Sequence, residues 1–465
     1  MLSNNPHINH PHLGEQYALL TDLYELTMAA SYLEEGMHEE ATFSLFIRKY
    51  PPDRGYFVAA GLEEALNYLA TLRFGEDDLA YLDSTRLFKT AFLNYLKTVR
   101  FTGEVWALPE GSIFFKDEPI LEVTGPIIEA QLVESFLINA INLQTMIATK
   151  AARSTVAAGG RRLVDFSLRR TQGTDAGLKV ARASYLGGFV GTSNVLAGKL
   201  YGLPIYGTMA HSYVTSFKSE IESFRAFARA FPHNTVLLID TYDTIAGAKK
   251  AIQVGLEMAA RGERLRGVRL DSGDMAALSI EVRRLLNEAG LDYVTIFASG
   301  GFDEFKITRT LEAGGVIDAY GVGTKMGVAA DAPYFDIAYK LVKYGDKPVM
   351  KLSTGKVTYV DKKQLFRFYE HQGQMAEDVI GLREESFSQA KPLLQPVMTQ
   401  GRPLAPLPPL SASRELFLRE FEQLPTQYKI LQDPPTYPVR ISAGLQHLQE
   451  RVEDNIRRQE LGVRE

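Results

Sequence analysis

The chain has 465 residues, about three times a ~150-residue average domain, so two closely packed domains are expected. Hydrophobic residues at 45% against 23% charged exclude a disordered chain, and 51 Lys+Arg against 56 Asp+Glu leave a net charge of -5 with no basic block for a nucleic-acid backbone. Cys is 0, which excludes disulfides, Cys-ligated zinc, iron–sulfur clusters and thiolate nucleophiles together.

The opening Met1–Pro6 lacks the basic flank and apolar run of a signal peptide, and no stretch approaches 18 apolar residues. No membrane contact and a cytoplasmic location are therefore expected. The tract His7-Ile8-Asn9-His10-Pro11-His12 reads as a tail, with metal binding the lesser reading. Ala18–Glu35 has helical spacing with Gly36 as its stop, Thr42–Arg48 is β-rich, and Glu104–Thr124 breaks into short antiparallel strands at Pro109, Gly111 and Pro119. A long apolar helix is predicted over Ile127–Val156, ending at Gly159-Gly160.

From there short apolar runs alternate with helices. Strands are predicted at Arg162–Ser167, Pro204–Gly207, Thr235–Ile239, Gly267–Leu270, Tyr293–Ala298 and Ile317–Val322. Near-continuous apolar strands between amphipathic helices imply parallel pairing with both faces covered, either as a closed barrel or as an open doubly wound sheet. After Tyr334 short strands return at Pro348–Leu352, Val357–Val360 and Leu365–Tyr369. The expected division is an α+β domain from residues 1–130 together with 345–465, and an α/β domain over 131–344. Ten of the 21 prolines fall in Pro392–Pro438, so that tail is expected to wander rather than form long helices.

Polar residues stand where the six predicted strands end: Arg169-Arg170, Thr208-Met209-Ala210-His211-Ser212, Asp240-Thr241-Tyr242-Asp243, Asp271-Ser272-Gly273-Asp274, Ser299-Gly300-Gly301 and Gly321-Val322-Gly323-Thr324. In a parallel α/β unit all six gather on one rim, where such folds bind ligands. Glycine turns leading into helices suit a phosphate, the acids suit ribose hydroxyls or a phosphate-bound Mg²⁺, and Arg169, Arg170 and Arg269 suit a carboxylate or a diphosphate. The combination implies a sugar phosphate carrying a diphosphate. His211, flanked by Ala210 and Ser212, is placed for acid/base work or for attack on phosphorus.

These stretches resemble the nicotinate phosphoribosyltransferases over the chain to about residue 370. The resemblance is carried by Thr21-Asp22-Leu23-Tyr24-Glu25-Leu26-Thr27-Met28, Phe166-Ser167-Leu168-Arg169-Arg170 with Gln172-Gly173, Gly191-Thr192-Ser193-Asn194, Gly207-Thr208-Met209-Ala210-His211-Ser212, Arg269-Leu270-Asp271-Ser272-Gly273-Asp274 and Gly321-Val322-Gly323-Thr324. It implies an irregular (β/α) barrel of the type II phosphoribosyltransferase kind with an α+β domain built from both ends of the chain, and a homodimer with shared sites. The implied reaction joins nicotinate to 5-phosphoribosyl 1-diphosphate in NAD salvage, with Mg²⁺ and with ATP hydrolysis coupled through a phosphohistidine at His211. It also implies that Phe166 and Tyr24 of the neighbouring subunit sandwich the pyridine, that Arg169 faces its carboxylate, and that Ser193 stands where an acid would favour the amide. Asp271 is implied as the ribose ligand and Asp240 as the neighbour of diphosphate and Mg²⁺. Arg269 and Ser272 join the substrate-binding set, Gly300, Gly301, Gly323 and Thr324 form the 5-phosphate cradle, and Arg48 reaches a phosphate across the dimer.

Overall fold

Six short strands between residues 162 and 322 form one parallel row in the computed structural model, which describes residues 17–352 and 358–461. The tract His7–His12 lies outside the described residues, as does Val357. Backbone packing separates two units: one takes the described residues up to Met146 and from Tyr334 onward, the other is Ile147–Pro333. Against the sequence boundaries of 130/131 and 344/345, the first unit keeps more chain at both cuts. The predicted long helix is broken into Ile127–Gln131 and Glu134–Ala158, and the second piece runs across the first cut. At the second cut, the strand Ile337–Tyr344 pairs antiparallel with Glu40–Ile47, which ties it to the first unit.

In Ile147–Pro333 the strands are β1 (Arg162–Asp165), β2 (Gly191–Thr192), β3 (Val236–Leu238), β4 (Gly267–Leu270), β5 (Thr295–Ala298) and β6 (Ala319–Val322). Their order is β2-β1-β6-β5-β4-β3, every pairing parallel. Leu237, Leu238, Val268, Leu270, Ile296, Ala298 and Val322 are all buried, as expected for apolar strands covered on both faces. Each strand but β2 was legible as an apolar run; the second predicted strand, Pro204–Gly207, is not one. It contributes a single bridge from Ile205 to Thr192, and Gly191–Thr192 takes the place in the ladder. Helices Thr244–Ala259, Met275–Glu288 and Glu304–Glu312 follow β3, β4 and β5, each started by an aspartate cap: Asp243, Asp274 and Asp303. A cavity of about 540 Å³ is lined by Val164, Tyr206, Val236, Thr295, Phe297 and Ala319, among others.

The first unit holds a seven-stranded sheet with Glu40–Ile47 between Ile337–Tyr344 and Pro119–Pro126, and a four-stranded sheet built on Lys363–Tyr369 and Met375–Leu382. Of the expected strands after Tyr334, Leu365–Tyr369 lies within Lys363–Tyr369, while Pro348–Leu352 supplies only the end of Lys347–Pro348. Residues 358–360 are not a strand. The Pro-rich tail is more ordered than expected: Gln395–Thr399 pairs with Glu104–Ala107, and Leu410–Gln423 is a 14-residue helix. Its prolines leave 410–424 clear: Pro409 is the N-cap position, where a missing N–H breaks no helical hydrogen bond, and Pro425 follows the helix.

Buried charge fastens this unit. Arg367, 0% exposed, donates to Asp378 (Nη2 to Oδ2, 2.7 Å), to Glu420 (Nη1 to Oε2, 3.3 Å) and to the Ile113 carbonyl (2.8 Å). Among the described residues, no helix of either unit is long and apolar enough to cross a membrane.

Candidate active site

Arg269, near the end of β4, organises the rim. Its Nε donates to the Ser299 hydroxyl (2.8 Å), Nη1 to Thr208 Oγ1 (3.1 Å) and the Met209 carbonyl (3.3 Å), and Nη2 to Asp271 Oδ1 (3.0 Å). One rigid guanidinium therefore fixes three chain segments. Ser299 also donates to Asp271 Oδ1, which leaves Oδ2 facing His211 Nε2 at 3.8 Å. The other ring nitrogen, Nδ1, meets Thr241 Oγ1 at 3.1 Å. Burial pushes the Asp271 carboxyl up, but the Ser299 hydroxyl, Arg269 and His211 outweigh it and hold the pKa below the usual aspartate value. Asp240 Oδ2 accepts from the Asp271 N–H (3.0 Å) and the Ser272 hydroxyl (2.6 Å), while its Oδ1 is buried with no partner. His211, Asp240, Asp271, Arg269 and Ser272 thus form one connected group.

The aromatic side of the rim is set by Asp165, fully buried at the end of β1. Its Oδ1 accepts from the Ser167 N–H (2.9 Å) and hydroxyl (2.5 Å), its Oδ2 from the Thr192 hydroxyl (2.7 Å), and its carbonyl from the Ser193 N–H (2.8 Å). That one side chain joins the turn carrying Phe166 and Arg169 to the turn carrying Ser193. Phe166 packs on Phe297 with centroids 5.5 Å apart, and the Arg269 guanidinium lies 5.5 Å from the Phe166 ring centre. A side chain at Gly321 would stand 2.6 Å from the Phe166 ring, so the ring's seat requires glycine there. Arg169, on the short turn Leu168–Arg170, is exposed.

The glycine turns join the same structure. Gly300 has φ +97°, and a Cβ there would come within 2.0 Å of the Asp271 carbonyl, so this turn packs directly on the acid's backbone. Gly301 has open space around it, and a Cβ at Gly323 would come within 3.0 Å of the Phe166 carbonyl. Lys325, one residue beyond Thr324, pairs with Asp303 at 2.6 Å, bridging the segments that follow β6 and β5.

Of the remaining acids, Asp243 and Asp274 cap helices through the Ala246 N–H and the Ala276 and Ala277 N–H groups. Tyr24 and Arg48 belong to the other unit. Tyr24 is 46% exposed on the helix Leu23–Glu34, and Arg48 faces Asp336 at 3.6 Å. Asp165, Thr241, Asp303 and Lys306 were not singled out from the sequence. Asp165 left a signal, a carboxylate directly after the apolar pair Leu163-Val164.

Three segments match family descriptions: residues 19–142 the nicotinate phosphoribosyltransferase N-terminal domain, 161–363 the nicotinate phosphoribosyltransferase family, and 386–449 its C-terminal domain. The last match extends the likeness into the Pro-rich tail, beyond the residue 370 at which the sequence resemblance stopped. The Mycobacterium tuberculosis protein named nicotinate phosphoribosyltransferase pncB2 is 48% identical over 433 residues, covering 93% of this chain and 92% of that protein. The human nicotinate phosphoribosyltransferase is 33% identical over 513 residues, covering 92% and 95%. A crystal structure of human nicotinic acid phosphoribosyltransferase superposes with a TM-score of 0.84 at 31% identity, over 93% of this chain and 99% of that one. With both the rim and nearly the whole length accounted for in this way, the chain belongs to the nicotinate phosphoribosyltransferase family.

Proposed function

We propose that the chain transfers the phosphoribosyl group of 5-phosphoribosyl 1-diphosphate to nicotinate, releasing diphosphate and nicotinate mononucleotide in NAD salvage. The observation that carries this reading is the connected group Arg269–Asp271–His211–Asp240 beside the seat of Phe166. As the diphosphate leaves C1, positive charge grows on the ribose ring and the nicotinate nitrogen attacks from the opposite face. That nitrogen carries no proton, so no general base is needed, and the protein's task is to position and neutralise. Asp271 Oδ1 is held by Arg269 and Ser299, which leaves Oδ2 to accept a ribose hydroxyl. Arg169 meets the nicotinate carboxylate, and Phe166 covers one face of the ring with Tyr24 of a second copy on the other. Ser193, being uncharged, tolerates that carboxylate.

Asp240 would meet a Mg²⁺ carried by the diphosphate, since its Oδ1 is buried and free of partners, an arrangement that suits a cation. When bound, the ion would neutralise the charge gathering on the leaving group. We assign ATP coupling to His211. With Nδ1 donating to Thr241 Oγ1, Nε2 would carry the lone pair that attacks the γ-phosphorus, forming an N–P bond as the bond to ADP breaks; water later releases phosphate. A barrel closing the six-strand row, a homodimer in which Arg48 reaches a phosphate of the neighbour's site, and a cytoplasmic location belong to the same proposal. The cavity lined from both end segments of the row, Tyr206 and Val236, supports the barrel.

Incubation with nicotinate, donor, Mg²⁺ and ATP should yield the mononucleotide and ADP together. Turnover of quinolinate with carbon dioxide release, or preference for nicotinamide, would overturn the substrate choice. His211→Ala should keep the fold yet lose ATP hydrolysis and its stimulation of transfer; ATP coupling that persists in that variant removes the histidine's role.

A further inference from the structure

Lys306 has an unusual position for a cation. It lies in the first turn of the helix Glu304–Glu312, where the backbone dipole disfavours positive charge, and it is only partly exposed. Its Nζ donates to the Gly300 carbonyl at 2.6 Å and stands 4.5 Å from the centre of the Phe302 ring. Burial, and then neighbouring Lys325, hold its pKa below the usual lysine value against the weaker pull of the Asp303 and Asp271 charges. The two lysines are not equivalent. Lys325 is compensated by Asp303 at 2.6 Å, whereas no carboxylate of the described residues pairs with Lys306. An ammonium set against a helix dipole, partly desolvated and beside a second lysine, with Asp303 and Asp271 acting on it without an ion pair, has room for a closer anion.

The geometry points to that anion. Gly300, whose carbonyl Lys306 grips, belongs to one of the two turns read as the 5-phosphate cradle, and the Asp303–Lys325 pair couples it to the other, Gly323–Thr324. We propose that Lys306 is a substrate-binding residue whose ammonium, in no ion pair of its own, supplies positive charge for the donor's 5-phosphate; this rests on the phosphoribosyl-transfer reading. The Phe302 contact and the Gly300 hydrogen bond alone would make Lys306 a strap for the turn, so the test must separate charge from hydrogen bonding.

Lys306→Gln keeps a donor for the Gly300 carbonyl and removes the charge; Lys306→Arg keeps both. Calorimetry with ribose 5-phosphate, which offers the 5-phosphate without a leaving group, is compared with inorganic diphosphate plus Mg²⁺, which offers the reverse. Lys306→Gln should weaken ribose 5-phosphate about 10- to 100-fold, the range of a charge-assisted hydrogen bond, and Lys306→Arg should recover most of it. Diphosphate affinity should stay within about twofold, a spread that additivity between separate sites allows. In turnover, the KM for the donor should rise while the KM for nicotinate holds. Unchanged ribose 5-phosphate affinity in Lys306→Gln, or equal losses for both probes, would overturn the assignment. Failure of the wild-type chain to bind ribose 5-phosphate at all would overturn the phosphoribosyl reading, and this proposal with it.

Discussion

Arginine and carboxylates build two groups in this protein that resemble each other in composition and differ in what they leave unused. In the first unit Arg367 faces Asp378 and Glu420 with no solvent access, and its Nη2 also binds the Ile113 carbonyl. At the rim of the second unit Arg269 is equally well bonded, yet the side chains around it keep free valences: Asp271 Oδ2, Asp240 Oδ1 and the Lys306 ammonium. A charge network sealed from solvent specifies packing, and one whose charged groups, such as Asp271 and Lys306, reach solvent can take a ligand. Residue type does not separate the two; access to solvent does.

The comparison breaks if either group behaves like the other. Arg367→Met should be the costliest change, about 3–5 kcal/mol of stability, because it strands Asp378 without a cation and leaves Glu420 only the exposed Lys391 at 3.9 Å. Denaturant unfolding measures it, and activity per folded molecule should survive. If the loss is under about 1 kcal/mol, the level of an exposed pair, the network does not fasten the unit. At the rim, Asp271→Asn should lower transfer about 100- to 1,000-fold, the range for removing one well-aimed electrostatic group from an active site. Its melting temperature should move little, since Arg269 retains Ser299, Thr208 and the Met209 carbonyl. A large stability loss with modest loss of rate would place Asp271 with the structural group.

How far these roles were legible depended on how each residue acts. Five strands of the parallel row showed as apolar runs, and what followed them drew attention to Asp240, Asp271 and the glycine turns, whereas His211 was found behind Pro204–Gly207, which is not a strand. β2 escaped because it is two residues long and begins at Gly191, where a Cβ would stand 2.2 Å from the Pro204 carbonyl; close backbone approach, not side-chain burial, makes that strand. Asp165 and Lys306 escaped because one accepts from the Thr192 hydroxyl, 27 positions away, and the other donates to the carbonyl of Gly300, 6 positions back in a turn. The helix Leu410–Gln423 was obscured by counting prolines instead of noting the gap between Pro409 and Pro425. The Arg367 network joins residues far apart in the chain, and no local pattern announces it: Ile113 to Arg367 spans 254 positions.

The smallest expected effect sharpens the contrast from inside the buried group. Glu118 is fully buried; its Oε2 accepts from the Phe115 N–H at 2.8 Å and its Oε1 has no partner. Burial first, and then the charge of Asp378, raise its pKa well above the usual glutamate range despite the attraction of Arg367. One guanidinium serves Asp378 and Glu420 with Glu118 close by, so Glu118 is the carboxyl that keeps its proton. A carboxyl whose folded pKa is raised binds more protons in the native than in the unfolded chain. Its stability contribution is therefore complete below the unfolded value of about 4.3 and is lost as pH rises through the folded value. Glu118→Gln retains an acceptor for the Phe115 N–H and cannot ionise. The variant's unfolding free energy, relative to wild type, should therefore climb with pH from about 4.3 upward and level off once Glu118 would be ionised in the native state. A difference that stays flat across that range would mean that Glu118 is ionised in the folded protein and that its neighbourhood compensates the charge, as the rim does for Asp271.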